Sequence, residues 1–375
     1  MTKPNPANER IKREYFAYLK EAKRRDDATI DGVVKAIARF EESTKARDFK
    51  RFNREQAVAF KNRLGAATNA RTGKPLSKAT VQSIIRDLHA FFFWLAHHPA
   101  FKTSIRYDDA DYFNLSAKDV AIAGARRDKP VPSLHQVHRV LATMPANTVL
   151  DRRNRALIAF TAITVARVGA LATFRLGHVN LAEGFVYQDA RDVHTKLAKS
   201  FPTYFMDIGG TALGIVIAWI EELQRDHLWG QDDPLFPKTA MGLGPNGGFI
   251  PTGILRECWS TTQPINRIFR DAFASANLPY YNPHSFRDMM VQHGMSLDLT
   301  PEQMKAWSQN IGHSQVLTTF TSYGQVPTHR QGQLIRSIGN VGNRAGGVNA
   351  QQVATLEALL ANLKSVPMTD HNSIG

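Results

Sequence analysis

The 375-residue sequence predicts a mainly α-helical protein that also contains a small antiparallel β-sheet and is divided into two domains. Three observations lead to this prediction. Apolar residues recur at helical spacing along most of the chain, whereas the stretch at 184–208 alternates in the manner of short strands. A basic, proline-containing segment at 125–132 separates two parts that are each long enough for a hydrophobic core.

The N-terminal part has the apolar spacing of helices from residue 9 to residue 64. A turn signal at 72–75 follows, and Ser77 then predicts the N-cap of a long helix that ends near His98. This helix carries the aromatic cluster at 91–94, which we interpret as core. Base stacking is disfavoured for these rings because duplex DNA exposes no unstacked base faces.

Helices and short strands are both predicted in the C-terminal part. Ser133 predicts the N-cap of one helix, and the next covers 152–171, through the motif around Arg167. Three segments are predicted as strands, namely 184–187, 192–194 and 201–206. Further helices are predicted at 211–229, 262–277, 283–296 and 301–311, and a glycine-rich break from Gly339 to Gly347 precedes a last amphipathic helix at 349–364.

The composition favours a soluble protein with a polyanionic partner. The net charge is +14, and residues 1–129 hold 27 Lys and Arg against 16 Asp and Glu, compared with 20 against 17 in residues 130–375. This balance favours binding of nucleic-acid phosphates by the N-terminal part, although a basic surface also aids solubility. Cys258 is the only cysteine, which excludes an internal disulfide and a Cys-based zinc site. No membrane-spanning run or secretory signal is found, so we expect a cytoplasmic location.

One tyrosine and five basic residues form the candidate catalytic set. A tyrosine hydroxyl has a pKa near 10 and is a poor nucleophile unless cationic groups stabilise negative charge on it and on the group that it attacks. Two arginines, a lysine and two histidines suit a phosphodiester better than a carbonyl or a sugar. The six residues are Arg167, Lys196, His284, Arg287, His313 and Tyr323.

Each motif by itself is a weak signal. Arg167 lies in an apolar run, where its guanidinium needs a partner, either a structural salt bridge or a phosphate. His284 and Arg287 are three residues apart near a helix start marked by Pro283, so they share the face at the positive end of the helix dipole. Lys199 competes with Lys196 for the role of the active lysine.

The order Arg, Lys, His-x-x-Arg, Gly-His, Tyr, with the strand-like segment after the first arginine, resembles the tyrosine recombinase (phage integrase) family. The resemblance covers most of the chain. Residues 9–120 resemble the helical, SAM-like core-binding domain, and 130–340 resemble the mixed α/β catalytic domain, including the segment at 233–237. It implies a core-binding domain at 1–124, a linker at 125–132, a catalytic domain at 133–340, and a tether with a C-terminal helix at 341–375 that docks on a neighbouring subunit.

The resemblance also implies site-specific recombination of DNA without a cofactor, a metal ion or ATP. Tyr323 attacks the scissile phosphate and forms a 3′-phosphotyrosyl link, Arg167 and Arg287 hold the non-bridging oxygens, and Lys196 protonates the leaving 5′ oxygen. His284 helps to accept the tyrosine proton, and His313 donates a hydrogen bond to the phosphate. The implied DNA-binding residues are Lys78, Thr80, Arg86, Arg126, Arg127, Lys129 and Lys199. The implied partners are double-stranded recombination sites and three further copies in a homotetramer. The resemblance is also compatible with a monomer in free solution, with a nucleoid-associated location, and with accessory DNA-bending or directionality proteins.

Two departures from the family pattern keep alternatives open. His313 and Tyr323 are ten residues apart instead of nine, and Ala170 stands where an acidic residue often follows the first arginine. A catalytically inactive DNA-binding member and a type IB topoisomerase-like enzyme are therefore the competing hypotheses, and an unrelated basic helical regulator is a third. The DNA target, and the choice among integration, excision, resolution and transposition, are not encoded in any of these motifs.

Overall fold

The computed structural model describes residues 3–70, 72–125, 130–195, 198–297 and 299–312. The chain separates into two compact units, Met1–Arg127 and Asp128–Gly375, and each contains a hydrophobic core among its described residues. The predicted fold class, mainly α with small antiparallel β-structure, is confirmed. No helix within the described ranges is both long enough and apolar enough to span a bilayer.

The regular elements of the first unit, among its described residues, are helices joined by turns and loops. Its α-helices are α1 (Pro6–Ala17, continued by a π-helical turn at Tyr18–Ala22), α2 (Asp27–Ser43), α3 (Arg54–Ala66), α4 (Lys78–His97), α5 (Tyr107–Ala110) and α6 (Ala117–Gly124). Ser77 caps α4 as predicted, because its Oγ accepts a hydrogen bond from the Thr80 N–H at 3.1 Å. Phe91 and Phe92 lie in the core, but Phe93 is 45% exposed, so the prediction that all four aromatic residues are core is wrong at this position.

The second unit combines helices with two antiparallel sheets. Its helices are α7 (Leu134–Thr143), α8 (Val149–Thr164), α9 (Val168–Leu171), α10 (Ala212–Arg225), α11 (Gln263–Ser275), α12 (Pro283–Ser296) and α13 (Pro301–Asn310). β1 (Val179–Asn180), β2 (Phe185–Gln188) and β3 (Phe201–Tyr204) form one sheet in the order β1-β2-β3. β4 (Lys238–Leu243) and β5 (Phe249–Leu255) form a separate hairpin.

Helix α8 runs through the core of the second unit. Ten of its residues are buried, among them the continuous run at 156–164, so the helix has no solvent-facing side over its C-terminal half. The neighbouring α10 is tied to the segment after it, because Trp219 Nε1 donates a hydrogen bond of 2.8 Å to the Leu235 carbonyl. A buried helix of this kind gives the residues at its C-terminal end a rigid support.

Two predictions for the second unit need correction, and one element was not predicted. The helix predicted at 152–171 ends at Thr164, because buried Val165 adopts a left-handed conformation with φ 45°. Residues 192–194 form no strand; the Val193 N–H instead closes a turn by bonding to the Asp189 carbonyl. The β4–β5 hairpin was not predicted, although the glycines at its tip are a turn signal. The predicted C-terminal helix at 349–364 lies outside the described residues.

Candidate functional site

Arg167 follows an abrupt change of chain direction at the end of α8. The left-handed Val165 stops the helix, and such a conformation is uncommon for a β-branched residue, costing about 1–3 kcal/mol. Arg167 is extended and half-buried at the start of α9. Among the described residues, none forms a hydrogen bond or an ion pair with its side chain. The guanidinium is thus placed by backbone geometry rather than by a salt bridge to any of these residues.

Arg287 connects the segment before Arg167 with the segment before His313. It lies in the first half of α12 and is 2% exposed. Its Nη1 donates a hydrogen bond of 2.7 Å to the Val165 carbonyl, and its Nη2 donates one to the Ile311 carbonyl. These carbonyls stand two residues before Arg167 and two residues before His313. One buried side chain therefore holds together two segments that are far apart in the sequence.

His284 lies in the first turn of the same helix, where the sequence predicted it. Pro283 occupies the first position of α12, and the Asn282 side chain caps it by accepting from the Ser285 N–H at 3.1 Å. His284 is exposed, whereas Arg287, one turn later, is buried. The prediction that the two side chains share one face is therefore wrong in depth: His284 lies at the surface near the helix N-terminus, whereas Arg287 is in the interior.

The loop between β2 and β3 contains both candidate lysines. Lys199 is exposed two residues before β3, and Lys196 lies outside the described residues. The loop approaches the Arg167 segment closely: the His194 N–H donates to Thr173 Oγ1 at 3.0 Å. A methyl group on Gly169 would lie 3.3 Å from the His194 carbonyl oxygen. The residue two before Lys196 therefore packs against the turn that follows Arg167.

An ion pair holds the beginning of this loop. The Arg191 guanidinium donates hydrogen bonds to both oxygens of Asp189, and this lowers the pKa of the Asp189 carboxyl to about 2. Nearby, burial lowers the pKa of His178, while the carboxylate of Asp192 partly opposes the shift. The neutral His178 ring accepts the Arg175 N–H through Nδ1 at 2.9 Å. The first contact fixes the loop where it leaves β2, and the second closes the turn that precedes β1.

Gly312, the residue before His313, lies close to the start of β3, where the β2–β3 loop ends. Its φ is 78°, and a side-chain methyl there would lie 2.5 Å from Cζ of Phe201, the first residue of β3. A groove of about 640 Å³ between β3 and α13 is lined by Lys199, Tyr204 and Gly312, among others. Lys199 and the chain entering His313 therefore face the same groove.

Of the six predicted catalytic residues, the structure describes Arg167, His284 and Arg287. Arg287 is linked to the segment before Arg167 by its hydrogen bond to the Val165 carbonyl. Lys196, His313 and Tyr323 lie outside the described residues, and so does the His313–Tyr323 spacing. Ala170 stands where the family pattern often has an acidic residue, and its methyl group is fully buried. No cluster of three or more His, Cys, Asp or Glu residues with metal-binding geometry occurs in the described part of the chain.

Three of the predicted DNA-binding residues lie on α4. Lys78, Thr80 and Arg86 are all exposed. Lys78 pairs with Asp119 at 3.0 Å, and Arg86 pairs with Asp87 at 3.1 Å. Exposed pairs of this kind contribute only about 0.2–1 kcal/mol, so a phosphate can compete for either cation. Arg126, Arg127 and Lys129 lie outside the described residues.

Several residues that build the site have little or no signal in the sequence. Val165, Gly169 and Asn310 act through backbone conformation or through contacts with residues distant in the sequence. Gly169 has a faint signal, since a glycine within an apolar run suggests a close approach by another segment. No local pattern distinguishes Asn310, because the partner of its side chain is 106 residues away.

No family model and no curated protein matches this chain. Solved structures do share its fold. A lambda integrase (residues 75–356) dimer bound to a COC′ core site superposes with a TM-score of 0.57 at 12% identity, covering 83% of this chain and 93% of that one. XerH site-specific recombinase bound to palindromic difH substrate gives 0.55 at 16% identity, covering 86% and 83%. The Tn1549 transposon integrase in complex with transposon right end DNA gives 0.54 at 12% identity, covering 88% and 99%. The resemblance inferred from the sequence motifs is thus confirmed at the level of the fold.

Proposed function

We propose that this chain is a tyrosine-type site-specific DNA recombinase that cuts and rejoins DNA strands through a covalent phosphotyrosyl intermediate. The observation that carries the proposal is the pair of hydrogen bonds from Arg287 to the carbonyls of Val165 and Ile311. Through them, the segments that lead into Arg167 and His313 meet at one buried guanidinium. The β2–β3 loop packs on Gly169, two residues after Arg167, and Phe201 at the start of β3 packs on Gly312, the residue before His313.

In the proposed reaction, the Tyr323 hydroxyl attacks the scissile phosphorus, with His284 helping to accept its proton. A new bond joins the tyrosine oxygen to phosphorus, and the bond from phosphorus to the 5′ oxygen breaks. Arg167 and Arg287 stabilise the negative charge on the non-bridging oxygens. The charge of Arg287 acts from within the protein, where the lower dielectric weakens its field less than water does.

The leaving 5′ oxygen takes its proton from a lysine of the β2–β3 loop. Lys196 is the first candidate and Lys199 the second, and the position of Lys199 in the groove beside Gly312 keeps both in the proposal. His313 donates a hydrogen bond to the phosphate. Rejoining reverses the step, with a 5′ hydroxyl as the attacking group. One diester replaces another, so the exchange needs no nucleotide as an energy source.

The DNA partner is proposed from charge and from the related folds. The first unit, with Lys78, Thr80 and Arg86 exposed on α4, provides phosphate contacts. Arg126, Arg127 and Lys129 of the linker at 125–132, together with Lys199, extend them. The three superposed proteins are in complex with DNA, and one is a dimer, which supports a DNA-bound oligomer. We extend this to a homotetramer on two sites, in the cytoplasm and associated with the nucleoid, with the C-terminal helix docking on a neighbour.

A nicked suicide substrate tests the proposal. Such a duplex loses a short strand after cleavage, so the covalent protein–DNA product accumulates. The wild-type chain should give an adduct that resists denaturation and a released 5′ hydroxyl, and Tyr323→Phe should give none while still binding the DNA. A wild-type chain that binds the cognate duplex but yields no adduct would contradict cleavage.

Buried Ala170 favours one second candidate, a DNA-binding protein of the same fold that does not cleave. At this position an acidic side chain would orient the catalytic residues next to it. Ala170 supplies no such group and is packed among apolar residues of the core. The suicide substrate separates the two functions, since this candidate binds without forming an adduct. A type IB topoisomerase-like enzyme would relax supercoiled DNA that lacks paired sites, so a relaxation assay distinguishes that alternative.

A further inference from the structure

The side chain of Asn310 pairs with the open edge of β3. Its Oδ1 accepts the Tyr204 N–H at 2.7 Å, and its Nδ2 donates to the Tyr204 carbonyl at 2.9 Å. β3 is an edge strand of the described sheet, and the neighbouring Phe205 N–H turns the other way, to the Gly184 carbonyl. Because successive residues of a strand point their backbone groups to opposite sides, the Asn310 amide occupies the place of a further strand.

The backbone of Asn310 strengthens this contact. Its carbonyl accepts a hydrogen bond of 3.2 Å from Thr203 Oγ1, which itself accepts from the Gln188 side chain at 2.8 Å. Thr203 and Gln188 are both buried. Side chain and main chain of one residue thus engage two successive residues of β3, and the network continues into β2.

The position of Asn310 gives this pairing a consequence for the site. It is the last residue of α13, three before His313, while β3 begins directly after the loop with Lys196 and Lys199. We infer that Asn310 is a positioning residue that fixes the lysine-bearing hairpin relative to the His313 segment, so that the lysine reaches the leaving 5′ oxygen. This inference rests on the proposed strand transfer. It assigns to Asn310 a role in the proton-donating step and none in the attack by Tyr323.

A substrate with a modified leaving group tests this role. Sulfur in place of the bridging 5′ oxygen leaves as a thiolate, which needs no proton because thiols are far more acidic than alcohols. We expect Asn310→Ala to slow adduct formation on the ordinary nicked duplex by about tenfold to a hundredfold, the range for a displaced acid catalyst. On the sulfur-containing duplex its rate should stay within about threefold of the wild-type rate. Asn310→Asp, which keeps the acceptor for the Tyr204 N–H, should fall between.

Glu302→Gln, also on α13, is the matched control, since this side chain is exposed and makes no hydrogen bond or ion pair within the described residues; it should react like wild type on both duplexes. Amide exchange at Tyr204 should be faster in Asn310→Ala than in wild type, which checks the contact itself. Equal slowing on both duplexes, no slowing on either, or unchanged exchange would overturn the inference. A wild-type chain that reacts with neither duplex would overturn the proposed function, and this one with it.

Discussion

The Nη1 of Arg287 donates a hydrogen bond of 2.7 Å to the carbonyl of Val165, across 122 residues of sequence. Val165 is the left-handed residue at which α8 ends, and Arg167 follows two positions later. The bond explains how a strained, buried turn is maintained, because the Val165 carbonyl accepts from a charged donor and is not left without a hydrogen-bond partner. The same guanidinium holds the Ile311 carbonyl, so the conformations before Arg167 and before His313 depend on each other.

Arg287→Ala should lower the free energy of unfolding by about 2–5 kcal/mol, because the substitution leaves two carbonyls without their charged donor. Urea denaturation measures this change. Arg267→Ala is the matched control, since Arg267 is exposed and pairs only with Asp271 one turn away on α11. Equal midpoints for Arg287→Ala and wild type would contradict a central structural role for Arg287.

Gly312→Ala should destabilise the second unit and abolish adduct formation. Its φ of 78° disfavours alanine, and the new methyl would collide with the Phe201 ring. We expect a loss of about 1–3 kcal/mol, measured by thermal unfolding. Gly214→Ala, with open space around its Cβ position inside α10, should instead stabilise by about 0.5–1 kcal/mol. If Gly312→Ala unfolds like wild type, the close approach of β3 to Gly312 is not present in solution.

His178 should make the second unit less stable in mild acid. Burial lowers the pKa of this ring below its unfolded value of 6.5, so the unfolded chain binds more protons between the two values. Stability from this group is therefore complete above pH 6.5 and falls as the pH drops through the folded pKa. His178→Gln, which keeps an acceptor for the Arg175 N–H, should show a smaller loss of Tm from pH 7 to pH 5.

The exposed His135→Gln is the control for this measurement and should show the wild-type pH dependence. A loss of Tm in His178→Gln as large as that of wild type would assign the acid sensitivity to other groups.

Lys78→Ala combined with Arg86→Ala should weaken duplex binding by the first unit in a salt-dependent way. Each lost phosphate contact should reduce the slope of log affinity against log salt by about 1. Fluorescence anisotropy of the full-length chain with a labelled duplex, at several salt concentrations, measures the slope. Lys35→Ala, at an exposed lysine of α2, removes one charge elsewhere and serves as the control. A slope unchanged in the double variant would place the phosphate contacts on another face.

The sequence predicted those elements whose ends carry local signals. Ser77 and Pro283 mark the starts of α4 and α12 through their own capping chemistry, so both positions were predicted correctly. Val165 could not be predicted, because its left-handed conformation depends on burial and on a donor 122 residues away. Phe93 was misassigned because a run of aromatic residues on one helix cannot all face the core.

The site was predicted as a set of residues, not as a geometry. The order of the motifs indicated which side chains to group. Arg287 does bond to the segments that precede Arg167 and His313, through the carbonyls of described residues. The contacts that arrange them, such as the pairing of Asn310 with Tyr204, follow from tertiary structure and leave no periodic trace in the sequence.

Identification of the residue attached to DNA tests the central claim most directly. After reaction with a nicked cognate duplex, the adduct is digested with protease and nuclease, and the modified peptide is sequenced by mass spectrometry. The proposed mechanism predicts a nucleotide joined through its 3′ phosphate to Tyr323, with a 5′ hydroxyl on the released strand. Attachment at any other residue, or a 5′-phosphate link, would contradict it.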